Sequence, residues 1–245
     1  MAVESLEDRR MLAIDFGLIE DINTAGLPLQ IGKPTSLTKV GETVFFTTER
    51  ISFSDRESLW KIDPTTHEAL LLKTFSASSD GILNLARAVE FNGSLYFTAN
   101  DGASGFELWK SDGTAAGTAL VKDTIAGVTG GSPTSLTNAN GVLYFVVSDG
   151  STTPSRPIQL WKSDGTTAGT TAVTNIGNSL GTIGVGDSYT KVTRSITAVG
   201  SEIYFVANGT GGVELWRSDG AATAQRRHSG RHRCGRGHPP WNARQ

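Results

Sequence analysis

Four residues near the end of the chain have the types and spacing of a zinc site: His228, His232, Cys234 and His238. Imidazole and thiolate groups are common zinc ligands, and a helix would place His228 and His232 on one face. Several residues of this segment disfavour a helix. They are Gly230, Gly235, Gly237, Pro239 and Pro240. We therefore interpret the segment as a disordered tail rather than as a zinc site.

A second set of polar residues recurs inside a motif that contains four of the five tryptophans. Residues 107–118 read Glu-Leu-Trp-Lys-Ser-Asp-Gly-Thr-Ala-Ala-Gly-Thr, and the pattern returns at 159–170 and 214–220, with a degenerate copy at 58–64. The four tryptophans are Trp60, Trp109, Trp161 and Trp216. The intact copies contain the pairs Asp112-Gly113, Asp164-Gly165 and Asp219-Gly220.

These recurring residues admit a structural and a ligand-binding interpretation. A short Asp side chain can cap a turn that a glycine closes, and a Trp on each copy can pack between neighbouring repeats. Calcium requires six to eight oxygen ligands, more than one Asp-Gly turn supplies. Asp101, Asp149 and loop carbonyls could add ligands, but they do not recur in the first and last repeats. We favour the structural role and predict no cofactor, with calcium as the alternative.

Catalytic residues are difficult to assign in residues 1–220. His67 is the only histidine there, and no Ser lies in a Gly-x-Ser-x-Gly context, which argues against a Ser-His-Asp hydrolase. A glycosidase that uses two carboxylates stays open, although nothing in the sequence indicates which two of the many acidic residues it would use. We therefore predict that the protein is not an enzyme.

The motif lies in a larger unit of four short strands. Asn-Gly pairs at 92–93 and 140–141 separate apolar runs, and such pairs predict tight hairpins because both residues accept positive φ. The motif tryptophans recur at a nearly constant interval along the chain. A repeat of about 50 residues with four antiparallel strands is typical of a β-propeller blade. We predict an all-β fold of about four such blades.

The two ends of the repeat array bear on how it is completed. The run Leu18–Ile22 matches the strand that follows each motif, and the fourth repeat lacks its own copy. A closed four-bladed propeller with one blade built from both ends is one possibility, and an incomplete larger propeller is the other. We assign residues 1–16 to a disordered leader, 17–220 to the repeat domain and 221–245 to a disordered tail. The change of composition after Gly220 suggests a frame change or a truncation in the gene.

Charge and cysteine content limit the classes of partner. The tail at 221–245 contains six of the 22 basic residues and no acidic residue, so residues 1–220 have 16 basic against 24 acidic residues. An acidic repeat domain argues against specific nucleic-acid binding. The single cysteine, Cys234, precludes an intrachain disulfide. No apolar run is long enough for a transmembrane segment, and no signal peptide is recognisable.

The motif at 107–114 closely resembles the signature of bacterial Glu-Leu-Trp-x-x-Asp-Gly-Thr repeat proteins. Residues 6–13, Leu-Glu-Asp-Arg-Arg-Met-Leu-Ala, resemble a Leu-Glu-x-Arg-type motif found near the start of large exported bacterial surface proteins. The resemblance covers about 18–220 and implies propeller-like blades in an exported or surface-associated, hyalin-like protein. It supplies no catalytic residues.

Together these patterns predict a non-enzymatic exported or cell-surface module that interacts with or adheres to a protein or a glycan. A propeller-fold glycan hydrolase or lyase is the alternative. A non-functional fragment of a larger repeat protein is a further alternative.

Overall fold

The computed structural model describes residues 33–48, 57–75, 85–127, 130–148, 158–174, 196–209, 212–221 and 226–227. These ranges contain a short 3₁₀ helix at Leu85–Arg87 and sixteen strands. The strands are β1 (Pro34–Val40), β2 (Thr43–Thr48), β3 (Ser58–Ile62), β4 (Ala69–Thr74), β5 (Val89–Phe91), β6 (Ser94–Asn100), β7 (Phe106–Ser111), β8 (Ala119–Lys122), β9 (Thr134–Ala139), β10 (Val142–Ser148), β11 (Ile158–Ser163), β12 (Thr171–Thr174), β13 (Ile196–Val199), β14 (Glu202–Gly209), β15 (Gly212–Ser218) and β16 (Arg226–Arg227).

The described strands form four sheets of four strands. Each sheet is built from consecutive strands, so that the orders are β1 to β4, β5 to β8, β9 to β12 and β13 to β16. Neighbours such as β1 and β2, or β10 and β11, are antiparallel. The prediction of an all-β fold made of about four blade-like sheets is confirmed.

Tight hairpins join the first two strands of the sheets. In the second sheet, Asn92 and Gly93 have φ values of 50° and 72°, and Asn140 and Gly141 of the third sheet have 50° and 79°. A two-residue turn with positive φ at both positions matches the twist of the strands that it joins. The Asn-Gly pairs therefore form the turns that the sequence predicts.

Two bulges recur in the first and third sheets. Ser36 in β1 and Ser135 in β9 have φ values of 41° and 58°, and the register shifts beside each of them. The last strands also shift, so that Leu72 and Val173 are each the extra residue opposite the Leu-Trp pair of the motif. Leu72 is 7% exposed and Val173 is 1% exposed, so the second bulge directs an aliphatic side chain into the core.

The described chain divides into two compact units, each with its own core. The first consists of residues 1–103 and 109–120, and the second of 104–108 and 121–245. In the first, the cluster around Phe45, Phe97 and Trp109 joins residues of the first and second sheets. In the second, the cluster around Tyr144, Leu160 and Phe205 joins residues of the third and fourth sheets.

Several expectations about the chain ends fall outside the described residues. These are the leader at 1–16, the run Leu18–Ile22 and the four zinc candidates His228, His232, Cys234 and His238. Within the tail, Arg226 and Arg227 form β16 and pair with Arg217 and Trp216 of β15. The edge of β15 thus provides backbone partners for these two residues, and the disorder expected for 221–245 stays a prediction.

Candidate functional site

The Ser-Asp-Gly-Thr turn between β7 and β8 is a closed network of short hydrogen bonds. Asp112 Oδ1 accepts from the backbone N–H of Thr114 at 2.8 Å and from its hydroxyl at 2.7 Å. Ser111 Oγ accepts from the backbone N–H of Gly113 at 3.2 Å and lies 2.8 Å from Thr118 Oγ1. Gly113 has a φ of 87°, a conformation that other L-residues rarely adopt. Each polar residue of this turn thus bonds to another part of the same turn.

Gly117 completes the network through the absence of a side chain. Its backbone N–H donates to Thr114 Oγ1 at 2.9 Å. A Cβ on Gly117 would overlap the carboxylate of Asp112, whose atoms occupy that space. Any larger residue at 117 would therefore displace the carboxylate that caps the turn.

The second intact copy of the motif has the same geometry. Asp164 Oδ1 accepts from the N–H and the hydroxyl of Thr166 at 2.8 and 2.7 Å, and Ser163 Oγ accepts from Gly165 at 2.9 Å. A Cβ on Gly169 would overlap Asp164 as well. The two intact copies of the motif therefore form separate turns of the same type.

The other two copies keep only part of this network. In the fourth repeat, Ser218 Oγ accepts from Gly220 N at 3.0 Å and Asp219 Oδ1 accepts from Ala221 N at 2.9 Å. Ala221 replaces the threonine whose hydroxyl would extend the network. In the first repeat, Asp63 Oδ1 accepts from the N–H groups of Thr65 and Thr66 at 2.8 and 3.0 Å.

Hydrogen bonds stabilise the ionised form of Asp112 and of Asp63. The side-chain hydrogen bond from Thr114, followed by its backbone hydrogen bond, lowers the pKa of Asp112 below its usual value. The backbone N–H groups of Thr66 and Thr65 lower the pKa of Asp63 in the same way. Donors that stabilise a carboxylate keep it ionised, so Asp112 is a poor proton donor at neutral pH.

Glu107, the first residue of the second motif copy, lies in a buried carboxylate site. It is 0% exposed and its two oxygens accept four hydrogen bonds. Thr124 donates its N–H at 2.9 Å and its hydroxyl at 2.6 Å to Oε2, while Ile125 and Gly131 donate their N–H groups to Oε1 at 3.3 and 2.7 Å. Burial raises the pKa of Glu107, against the opposing effect of these hydrogen bonds. Through these hydrogen bonds, the carboxylate connects the segment between β8 and β9 to the start of β7.

The motif tryptophans have different partners in the four sheets. Trp109 meets Phe75 edge-on with ring centroids 5.2 Å apart, and Lys73 Nζ lies 5.0 Å from the ring centroid. Trp60 and Trp161 stack on the phenylalanines opposite them, Phe46 and Phe145, with centroids 6.1 and 6.2 Å apart. Trp216 packs against the core cluster of the second unit.

Two turn glycines contact the preceding sheet of their own unit. The position of a Cβ on Gly113 lies 3.8 Å from Phe45 Cζ and 3.9 Å from Lys61 Cδ. Gly220 lies against the hydroxyl of Tyr144, and Lys162 Nζ donates to the carbonyl of Gly220 at 2.9 Å. Burial, together with the negative charge of Asp219, raises the pKa of Tyr144. The turn is thus also a point of contact between successive sheets.

Sequence reasoning identified Asp112 and Gly113 but missed several residues on which the turn depends. Ser111 is 0% exposed and Thr118 is 4% exposed, and both bond within the network. Gly117 and Glu107 were likewise given no role. The recurrence of Ser, Thr and the second Gly at the same offsets in 159–170 was the signal that could have found three of the four.

Comparison with known proteins gives fold likeness only. No protein-family model matches the sequence, and no curated protein matches it. A puromycin hydrolase structure is 14% identical with a TM-score of 0.46, over 80% of this chain and 32% of that one. The β-propeller domain of the Trilobed protease from Pyrococcus furiosus is 11% identical with a TM-score of 0.39, over 79% of this chain and 54% of that one.

A glycoside hydrolase is also similar. The Bacteroides ovatus xyloglucan GH43B structure is 15% identical with a TM-score of 0.36, over 81% of this chain and 41% of that one. The chain thus spans between about a third and a half of the length of these three structures. At such identities the likeness concerns the fold of the chain.

In the described ranges, no group of three or more His, Cys, Asp or Glu residues is arranged to hold a metal ion. No helix in those ranges has the length and hydropathy required of a membrane span.

Proposed function

We propose that the chain is a non-enzymatic repeat module, exported or displayed on a bacterial cell surface, which binds a protein or a carbohydrate. The supporting observation is the hydrogen bonding of the motif residues to one another. Ser111, Asp112, Gly113, Thr114 and Thr118 satisfy one another inside the turn. Residues that define the repeat thus maintain its architecture, and a binding role would fall to the loops that differ between repeats.

The electrostatics of the two best-defined carboxylates also favour binding over glycan cleavage. A glycosidase needs a protonated general acid and a second, ionised carboxylate near the scissile bond. Asp112 has a lowered pKa, the opposite of what a general acid requires. Glu107 has a raised pKa, but it is 0% exposed and four donors occupy its oxygens. Neither carboxylate is suited to protonate a sugar oxygen.

A paired binding and turnover assay tests the proposal. The purified full chain would be applied to a glycan array and to immobilised bacterial surface proteins, and in parallel incubated with a panel of polysaccharides while reducing ends and unsaturated products are measured. We expect saturable binding to at least one ligand without product formation. Turnover that survives purification to homogeneity would refute the non-enzymatic assignment.

Two variants exclude a trace contaminant and a hidden active site. Asp112→Asn and Glu107→Gln would be assayed at a temperature where each remains folded by circular dichroism. Under the proposal, both variants retain the ligand binding of the parent chain because the two carboxylates act within the fold. A selective loss of turnover in either folded variant would instead identify a catalytic carboxylate.

Surface display has a separate test. Intact cells that naturally express the protein would be labelled with an antibody against the repeat domain and treated with an external protease. Labelling that disappears after protease treatment supports display, whereas labelling that requires permeabilised cells contradicts it.

A further inference from the structure

The contact between a turn glycine and the preceding sheet has the same basis in both units. Phe45 of β2 is the direct cross-strand partner of Lys61 in β3, and Gly113 lies over this pair. Tyr144 of β10 is the direct partner of Lys162 in β11, and Gly220 lies over that pair. We call such a pair, an aromatic residue opposite a basic residue in the second and third strands of a sheet, a docking surface.

The fourth sheet contains a docking surface at the same register. Tyr204 of β14 is the direct cross-strand partner of Arg217 in β15. The sequence places Tyr204 in the run Ile-Tyr-Phe and Arg217 after Leu-Trp, the same positions that Tyr144 and Lys162 occupy in their repeat. The fourth sheet therefore has both residues that hold a turn glycine elsewhere.

Exposure distinguishes this docking surface from the others. Phe45 is 1% exposed and Tyr144 is 2% exposed, whereas Tyr204 is only half-buried. The side chains of Arg217 and Glu202 are each 34% exposed, and they form an ion pair at 3.2 Å. Tyr204 also donates its hydroxyl to Glu202 at 3.2 Å. The aromatic ring of the docking surface is thus buried in the first and third sheets but partly exposed to solvent in the fourth.

The four described motif turns contain three glycines at the position of Gly113 and Gly220, and all three are buried. These are Gly113, Gly165 and Gly220. The first turn has Pro64 at the equivalent position, and Pro64 is exposed. The proline ring fixes φ at a negative value, so Pro64 cannot adopt the positive φ of 87° seen at Gly113. The described turns therefore offer no exposed glycine of this type for Tyr204 and Arg217.

We propose that Tyr204 and Arg217 form an interaction surface for the intact Ser-Asp-Gly-Thr turn of a further repeat, one outside the four described. The partner is defined by chemistry: a glycine with positive φ that packs on the ring, and a carbonyl that accepts from the guanidinium as Gly220 accepts from Lys162. Arg217 has five N–H donors, so it can serve this carbonyl while it keeps Glu202. The Arg217–Glu202 ion pair is partly exposed, so it contributes little to stability and can rearrange at a small cost in free energy.

An inserted repeat provides the test within the full chain. A copy of residues 114–166 placed between Gly220 and Ala221 restores the threonine after Asp219-Gly220 and ends on its own Ser-Asp-Gly-Thr turn. The readout is nitration of Tyr204 by tetranitromethane, quantified by peptide mass spectrometry with Tyr96, which is 3% exposed and lies outside the copied residues, as the buried reference. We expect nitration of Tyr204 to slow several-fold relative to the parent chain.

A matched insert separates docking from mere shielding. In it, the inserted copy of Gly165 is replaced by valine, because a Cβ at the equivalent Gly220 would overlap the Tyr144 hydroxyl. The valine insert should leave Tyr204 as reactive as in the parent chain. Equal nitration in the two inserts would overturn the proposal. An inserted repeat that stays protease-sensitive would also contradict it, because docking on the fourth sheet is what should order the insert.

Discussion

Asp112 and Gly117 define the turn together, one through its carboxylate and the other through its missing side chain. Asp112 holds the N–H and the hydroxyl of Thr114, and the carboxylate occupies the space beside Gly117. The sequence indicated the cap because Asp before Gly is a common turn signal. It did not indicate the role of Gly117, which lies five residues after Asp112. No sequence rule for turns pairs a capping aspartate with a glycine at that distance.

Replacement of Gly117 by alanine should destabilise the chain through Asp112 alone. The new Cβ would displace the carboxylate, and we expect Gly117→Ala to lower the free energy of unfolding by about 1–2 kcal/mol. In an Asp112→Ala background the same substitution should cost much less, because the obstructing group is gone. Urea denaturation of the four proteins measures this coupling, and strictly additive costs would contradict it. Ala116→Ser, at an exposed neighbouring position, serves as the control.

The lowered pKa of Asp112 predicts a stability difference that disappears in acid. Because the folded-state pKa lies below the unfolded value of 3.8, the ionised carboxylate contributes stability above that pH and loses it as the pH falls through the folded-state pKa. Asp112→Asn should therefore be less stable than the parent at neutral pH, and the gap should narrow as the pH falls below 3.8. Urea denaturation midpoints of the two proteins at neutral and at acid pH measure this stability difference. A difference that widens in acid would contradict the lowered pKa of Asp112.

At the scale of elements, strands and hairpins were predictable but their irregularities were not. The Asn92-Gly93 and Asn140-Gly141 turns follow from the φ preferences of those residues. The bulges at Leu72 and Val173 do not, because they depend on which side chain the core can accept once the sheets have packed. The alternation of apolar residues in a strand cannot reveal a residue inserted in its register.

Glu107 shows that one motif position can have different roles in different sheets. Its counterpart in the third sheet, Gln159, accepts a hydrogen bond from Trp161 Nε1 at 3.0 Å. In the first sheet, Ser58 Oγ lies 3.1 Å from Thr74 Oγ1. A Glu–Gln exchange therefore looks conservative in an alignment of the repeats, but Glu107 has four donors around it that an amide cannot satisfy.

Glu107→Gln should accordingly be costly. The glutamine amide has one acceptor oxygen, so its NH₂ group would face donors on one side of the site. We expect a loss of about 2–4 kcal/mol in the free energy of unfolding, since buried N–H groups would be left without acceptors. Glu42→Gln is the matched control, because the Lys39–Glu42 ion pair is exposed and should contribute less than about 1 kcal/mol. Similar costs for the two variants, measured by urea denaturation, would contradict the role of Glu107.

At the scale of the whole molecule, the regular spacing of four tryptophans was enough to predict four sheets. Such a period leaves room for four strands and their loops, and the sheets follow the chain in that order. The contacts that join successive sheets of a unit were harder to predict from the sequence, because residues such as Gly220 and Tyr144 lie far apart in it. The recurring aromatic and basic positions become meaningful only after the register places them opposite each other.

The contact between Gly220 and Tyr144 can be isolated with two glycines that share one backbone conformation. Gly220 and Gly141 both have a φ of 79°, but a Cβ on Gly141 would meet nothing within 4 Å, whereas one on Gly220 would overlap Tyr144. Gly141→Ala should therefore cost only the strain of positive φ, about 1–2 kcal/mol. Gly220→Ala should cost about 1–3 kcal/mol more, because it also overpacks a buried ring.

A Tyr144→Phe background should reduce that excess, because the hydroxyl is the atom nearest to the new Cβ and Phe45 already occupies the equivalent position in the first sheet. Urea denaturation of the single and double variants would measure the coupling. If Gly141→Ala and Gly220→Ala proved equally destabilising, the turn would not be a joint between the third and fourth sheets. The premise that Tyr204 and Arg217 receive another turn in the same way would then fail with it.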